Sequence, residues 1–188
     1  VPVLLASRRK SLRRTIVWEH SLIDQHVEAS LRLRVLRAIA RPLYRRAAAT
    51  VVVSDLVADD LTQAGFAMPI IIPNLIRPLA DCAASEPIDG RLLTMGALVK
   101  VKNQNLALET LALLPSTYSL DIVGDGPDRL ALEQRAKQLG IADRVNFCGY
   151  VENPEAYYSR AEVVVQPCEA ETFGLVLFEA AHYRKPLI

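Results

Sequence analysis

Residues 163–179 read Val-Val-Val-Gln-Pro-Cys-Glu-Ala-Glu-Thr-Phe-Gly-Leu-Val-Leu-Phe-Glu. The β-branched run at 163–165 predicts a short buried strand, and Phe173-Gly174 marks the turn into a helix predicted over 173–183. Glu171 stands just before that helix and Glu179 lies within it. At 1.5 Å rise per residue, eight steps carry Glu179 roughly 12 Å further along, two turns deeper. The helix N-terminus between them presents backbone N–H groups that no intrahelical carbonyl satisfies, a natural partner for an anion. Two carboxylates that accept from hydroxyls, flanking an anion-binding helix start, suit a sugar, a diphosphate and a ribose held in line.

The same strand–turn–helix pattern recurs along the chain. Strands are predicted at 15–18, 50–53, 70–72, 92–95, 120–123, 145–147 and 163–165. Helix-length segments lie between most of them, at about 28–48, 55–64, 103–114, 127–139, 154–160 and 173–183. Short apolar strands alternating with helices predict parallel sheets covered on both faces, an α/β class. Residues 74–90 break the pattern with Pro78, Pro87 and Gly90 and read as a linker. The expected division is a first domain over 1–75, a linker over 76–90 and a second domain over 91–188. Each unit holds fewer strands than an open sheet of usual size, and Pro186-Leu187-Ile188 reads as the start of a further strand. A truncated chain is the expectation.

Composition narrows the class. The chain has 188 residues, 51% of them hydrophobic and 23% charged, which supports a packed core and excludes a disordered chain. Net charge is only +1, but residues 1–50 carry 11 Lys/Arg against 3 Asp/Glu, while residues 51–188 carry 11 against 18. The asymmetry predicts a basic face near the N-terminus. Cys82, Cys148 and Cys168 are odd in number and lack CxxC spacing, which argues for a reducing compartment and against a disulfide framework or a zinc site. The apolar start at 1–6 is too short to span a bilayer and has no charged segment before it. The expected location is cytoplasmic, without signal peptide or membrane span.

Ligands of open parallel sheets bind beyond the carboxyl ends of the strands. The unusual polar and turn residues fall at those ends. Glu19-His20-Ser21 follows the first strand, Ser54 the second, Pro73-Asn74 the third and Gly96 the fourth. Gly124-Asp125-Gly126-Pro127 follows the fifth, Gly149-Tyr150 the sixth, and Gln166-Pro167 leads to Glu171 after the seventh. Turns need Gly, Pro and Asn in any case, so the weight lies in their agreement.

On these residues the chain resembles the group 1 (family 4) retaining glycosyltransferases of the GT-B fold. Glu171-Thr-Phe-Gly-x4-Glu179, with Pro167 before it and Lys185-Pro186 after it, is similar to that family's signature. Gly124-Asp125-Gly126-Pro127, Arg144-Val145-x-Phe147-x-Gly149-Tyr150, Gly96-x5-Lys102-Asn103 and Ile72-Pro73-Asn74 fit at matching spacing. The resemblance covers nearly the whole chain. It implies two Rossmann-like parallel-sheet domains, both incomplete: the latter part of an acceptor-side domain and most of a donor-side domain.

It also implies roles. The donor would be a nucleotide diphosphate sugar. Glu171 would hold sugar hydroxyls, while the N–H groups of Phe173, Gly174 and Leu175 face the sugar and phosphates. Glu179 would bind the ribose hydroxyls, Lys102 would neutralise the diphosphate, Gly96 would border it, and Tyr150 with Val151 would border the base. His20 would stand near the reacting centre on the acceptor side, so that Glu171, His20 and Lys102 form the catalytic set. A lysine and a helix N-terminus stabilise charge that grows on phosphate oxygens without a metal. No Asp-x-Asp metal motif occurs, so no metal and no cofactor is expected. Retention would proceed by same-face attack, with the departing phosphate as base.

The chain departs from the pattern in places. Ala97 stands where the resemblance implies Arg, which removes one cation from the diphosphate. His182, Tyr183 and Arg184 replace small residues before Lys-Pro, and Arg in place of Gly is unfavourable wherever φ is positive. The glycine-rich N-terminal loop of the family has no counterpart, and the isolated fragment is expected to be inactive. These departures keep open a non-catalytic nucleotide-sugar-binding module, and the architecture keeps open a nucleotide-sugar epimerase, beside transfer to a glycan or lipid-linked acceptor. Single residues have plainer readings too. Glu171 could serve only as a favourable charge at a helix start, Glu179 as a solvated helix carboxylate, Lys102 as a surface lysine and His20 as a structural histidine. Residues 31–46 carry Arg32, Arg34, Arg37, Arg41, Arg45 and Arg46, interleaved with Leu33, Leu36, Ile39, Ala40 and Leu43. This reads either as a solvated basic helix face or as peripheral contact with anionic lipid, which would suit a lipid-linked acceptor. Nucleic acid is a poor partner, because the later two-thirds is acidic and no aromatic platform accompanies the arginines.

Overall fold

The computed structural model describes residues 12–22, 31–76 and 87–188. The expectations for Cys82 and Pro78, for the linker between 77 and 86, for the helix start at 28–30, for 1–6 and for the side chains of Arg32, Arg34 and Arg37 lie outside the described residues. Contacts divide the chain into two units, Val1–Leu75 and Ile76–Ile188.

In the first unit β1 (Ile16–Glu19), β2 (Ala49–Val52) and β3 (Ile70–Ile71) form a parallel sheet in the order β1-β2-β3, with α1 (Leu31–Tyr44) and α2 (Asp55–Gln63) as crossovers. Ser54 caps α2 by accepting from the Val57 N–H, and Val57, Ala58 and Leu61 form the buried face of that helix. Tyr44 meets the Phe66 ring edge-on at 4.8 Å and donates its hydroxyl proton to Glu19, while Arg41 donates to the Ala64 carbonyl. Right-handed crossovers between strands in sequential order place both helices on one face. The opposite face carries Ile16, Trp18 and Ile70, 62%, 50% and 56% exposed.

The second unit has the sheet order β6-β5-β4-β7, again parallel throughout. Its strands are β4 (Arg91–Met95), β5 (Ser119–Val123), β6 (Val145–Gly149) and β7 (Val163–Val164). Leu187 makes a further parallel bridge to Val164, where the sequence reads as another strand. The helices are α3 (Gln104–Leu113), α4 (Arg129–Gln138), α5 (Glu155–Arg160) and α6 (Leu175–His182). Both faces are covered. Leu92, Leu120, Ile122 and Val145 pack under Leu108, Leu111 and Leu132 of α3 and α4; on the other face Leu93, Val123 and Val164 pack under Tyr158 of α5 and Ala180 of α6. This is the doubly wound arrangement that places ligand sites at strand carboxyl ends.

Candidate functional site

Gly96, Gly124 and Gly149 end the adjacent strands β4, β5 and β6, joined by Gly96 N–H to Val123 O (2.9 Å) and Gly124 N–H to Gly149 O (2.8 Å). A side chain at 124 has no room: a Cβ there would lie 1.9 Å from the Gly96 carbonyl oxygen. The glycines thus serve the close approach of the strand ends and leave a depression above them. It opens into a cavity of about 550 Å³ walled by Gly96, Ala97, Gly124, Asp125, Tyr150, Val151, Glu152, Leu175 and Glu179, among others. The structure therefore brings together five of the residues predicted for the donor: Gly96, Tyr150, Val151, Leu175 and Glu179. Tyr150 stands at the mouth, 79% exposed.

Glu171 and Lys102 meet each other. The turn Lys100–Lys102 is 3-10 helical, and Asn103 follows it at φ 50°, a left-handed conformation that Asn tolerates. Asn103 occupies the N-cap position of α3, and its side chain makes no capping hydrogen bond. The loop after β7 is tied to this turn by Glu169 N–H to Val101 O at 3.0 Å, and Lys102 Nζ lies 2.5 Å from Glu171 Oε2. Partial burial pushes the Glu171 carboxyl up, but the Lys102 ammonium and the backbone amides of Phe173 and Thr172 outweigh it and hold the group below the ordinary carboxylate range.

The Phe173 amide, predicted to face a ligand, is therefore engaged by Glu171. Its ring stacks on Phe178 at 5.3 Å. Gly174 caps α6 at φ 75°, where a Cβ would lie 2.7 Å from Leu177 Cδ1, so this turn requires glycine. Glu179 accepts at Oε2 from the hydroxyl of Tyr158 at 2.7 Å. Nothing in the sequence around Tyr158 marked it as a partner of a residue 21 positions away. His20 belongs to the first unit, exposed, with its ring stacked on Trp18 at 5.5 Å. Cys148 and Cys168 carry free thiols.

Residues 86–188 match the family model described as "Glycosyl transferases group 1". The chain belongs to the group 1 glycosyl transferases. Among curated relatives of this glycosyl transferase, the lipopolysaccharide core biosynthesis glycosyltransferase LpsD of Rhizobium meliloti is 34% identical over 124 residues, 63% of this chain and 36% of that protein. LpsE of the same organism is 30% identical over 112 residues, 60% and 32% of the two chains. The chain thus spans about a third of the length of these relatives. Among solved structures, Anabaena HepE in complex with UDP and glucose superposes with a TM-score of 0.77 at 21% identity, covering 93% of this chain and 52% of that one. The glycosyl transferase shares their fold, GT-B. Among the described residues no helix is long and apolar enough to cross a membrane.

Proposed function

We propose that the protein transfers a sugar, with retention of anomeric configuration, from a nucleotide diphosphate sugar to a glycan or lipid-linked acceptor. The observation that carries this reading is the α6 turn. It sets Glu171 and Glu179 on either side of one helix start, with Lys102 drawn against the first and the cavity against the second. The neighbouring HepE binds UDP and glucose, and LpsD and LpsE act in lipopolysaccharide core biosynthesis; both facts support the donor and acceptor classes.

The chemistry follows from how Glu171 is held. Its carboxylate accepts from Lys102 and from two amides, and its proton affinity is depressed. Such a group is a poor base and a poor nucleophile but a good acceptor for sugar hydroxyls, so it orients the sugar and leaves the displacement to the substrates. An ammonium carries three donors, so Lys102 keeps one on Glu171 and turns the others to the diphosphate, where negative charge grows as the bond to the sugar breaks. The α6 N-terminus adds its partial positive charge. The departing phosphate takes the acceptor's proton on the same face. His20 is assigned to the acceptor side, and Tyr150 with Val151 to the base. This scheme uses no metal and no cofactor; transfer that persists in excess EDTA supports it, and abolition of transfer by EDTA overturns that part.

One observation favours a second reading, a binding module without turnover. Ala97 leaves the cavity walled by Asp125, Glu152 and Glu179 with no lysine or arginine among its lining residues. Incubation of the complete gene product with a panel of nucleotide sugars and a glycan or lipid-linked acceptor, resolved by mass, separates the outcomes. Release of nucleoside diphosphate with sugar transferred or hydrolysed supports the transferase, and an epimerised donor or an untouched one overturns it. In that assay Glu171→Ala is expected to lose roughly tenfold to a hundredfold, the worth of a charge-assisted hydrogen bond.

Residues 31–46 supply a peripheral membrane contact in this reading. Val35 and Ile39, half-exposed and one turn apart on α1, provide an apolar strip, and Arg45 and Arg46 are exposed beyond its end. Arg41 is spent on the Ala64 carbonyl and contributes nothing to a lipid surface.

A further inference from the structure

We propose that Tyr158 is a positioning residue that makes the cavity selective for an intact ribose. The proposal rests on the reading of Glu179 as the ribose contact. It is carried by the second side of that carboxylate, which faces into the protein rather than the cavity.

Tyr158 lies on α5 and is fully buried. Its ring is clamped against Tyr183 at 5.2 Å and 16°, within the cluster formed by Leu93, Val123, Val164 and Ala180. A ring held this way has one placement for its hydroxyl, and that hydroxyl donates to Glu179 Oε2 at 2.7 Å. Burial, and then Glu179 itself, push the phenol far above its ordinary range, so it remains a donor throughout the working pH range. The hydrogen bond fixes one oxygen of a flexible side chain on the wall of the cavity. The other, Oε1, accepts from no described residue and is left for a ligand.

A carboxylate with one oxygen immobilised presents the other along a defined direction, and a vicinal diol can donate to it without reorganising the site. Without Tyr158 the carboxylate keeps its charge but gains rotamers, and each hydroxyl contact then carries an ordering cost. The loss should fall on the ribose hydroxyls alone. It should leave the contacts of base and diphosphate untouched, since Tyr158 is buried behind Glu179 and does not line the cavity.

The test is isothermal titration of the full chain with UDP, GDP and ADP, each beside its 2′,3′-dideoxy counterpart. The wild type should favour the ribonucleotide of at least one base. Tyr158→Phe, which removes a single oxygen, should weaken that ribonucleotide about tenfold and leave the dideoxy affinity unchanged. In a Glu179→Ala background the same substitution should add nothing, because the acceptor of the tyrosyl hydroxyl is already gone. A purely structural tyrosine would weaken both nucleotides together, and that result, or an unchanged ribonucleotide affinity, overturns the proposal. Should Tyr158→Phe fail to fold, the wild type labelled with 3-fluorotyrosine decides. The fluorine resonance that moves on Glu179→Gln must move on adding the ribonucleotide and stay still on adding the dideoxy form; the reverse pattern overturns it. Binding without ribose discrimination defeats this proposal alone, whereas no binding of any nucleoside diphosphate defeats the functional reading with it.

Discussion

Lys102 and Glu171 stand 69 residues apart in the chain, yet their side chains form an ion pair at 2.5 Å, so one residue from the turn after β4 and one from the loop after β7 are pinned together before any ligand arrives. Both side chains are about three-quarters shielded from solvent. The contact is worth about 1 kcal/mol after screening, as a double-mutant cycle of Lys102→Met and Glu171→Gln should measure. The Glu171 carboxyl is held below its unfolded value of about 4.3. Its stabilising effect is therefore complete above that value and is lost as pH falls through the lower folded one. Urea titrations at neutral pH and near pH 3 should show the coupling present in the first and diminished in the second. Equal coupling at both would remove the pair from the account.

Ala97 marks a deficit of positive charge. The residue is exposed on the cavity wall, and its carbonyl accepts from Gln104 through the backbone, which a substitution leaves in place. Ala97→Arg should strengthen nucleoside diphosphate binding by about tenfold, the worth of one charge-assisted hydrogen bond, and the gain should shrink with added salt. Titration calorimetry at two ionic strengths reads both; an unchanged affinity would mean that the diphosphate lies elsewhere.

Arg184 follows α6 at φ 53°, in the left-handed region that glycine occupies at little cost. Arg184→Gly should raise stability by about 1 kcal/mol, less whatever glycine adds to the entropy of the unfolded chain. Thermal unfolding should show a rise in Tm of a few degrees for the variant, and a fall would show that the Arg184 side chain makes contacts worth more than the strain.

Gly124→Ala and Gly140→Ala separate two demands on glycine. Both backbones have positive φ, at 139° and 69°, but a Cβ at 124 collides with the Gly96 carbonyl at 1.9 Å, whereas nothing lies within 4 Å of one at 140. The substitution at 140 should cost about 1 kcal/mol and the one at 124 at least about 3, because strand ends must also part. Denaturant midpoints for the two variants give the difference directly.

The basic segment invites a vesicle test. Co-sedimentation should favour anionic over neutral vesicles, fall with salt, and drop on Arg45→Glu with Arg46→Glu. Equal binding to both vesicle types would leave α1 as an ordinary solvated helix.

Much of the fold was legible because its cues are local. Ala49-Thr50-Val51-Val52 and Leu120-Asp121-Ile122-Val123 are strands by side-chain shape alone; α1 ends four residues before its predicted end, and the later helices begin and end within two residues of the predicted ones. Spacing within one element anticipated Glu179 on the cavity wall and Glu171 in the turn before α6, where Lys102 holds it outside that lining. The site was opaque where contacts join distant elements. Asp121, on a strand that reads as apolar, is buried with Arg91 and Asn146 as its partners. The Phe173 amide turned back to Glu171, the carboxylate that Lys102 also holds from 69 residues away. Tyr158 escaped notice because α5 is six residues long and carries its message only through what packs behind it.

Trp18 is the chain's sole tryptophan, half-exposed on the first unit and stacked on His20. Selective excitation of indole therefore gives an optical probe confined to that unit, with an imidazole as its built-in quencher. The cavity above the ends of β4 and β5, lined wholly by residues of the second unit, contains no such chromophore. Emission that changes when a nucleotide fills the cavity would be a direct signal that one half of the molecule senses the loading of the other.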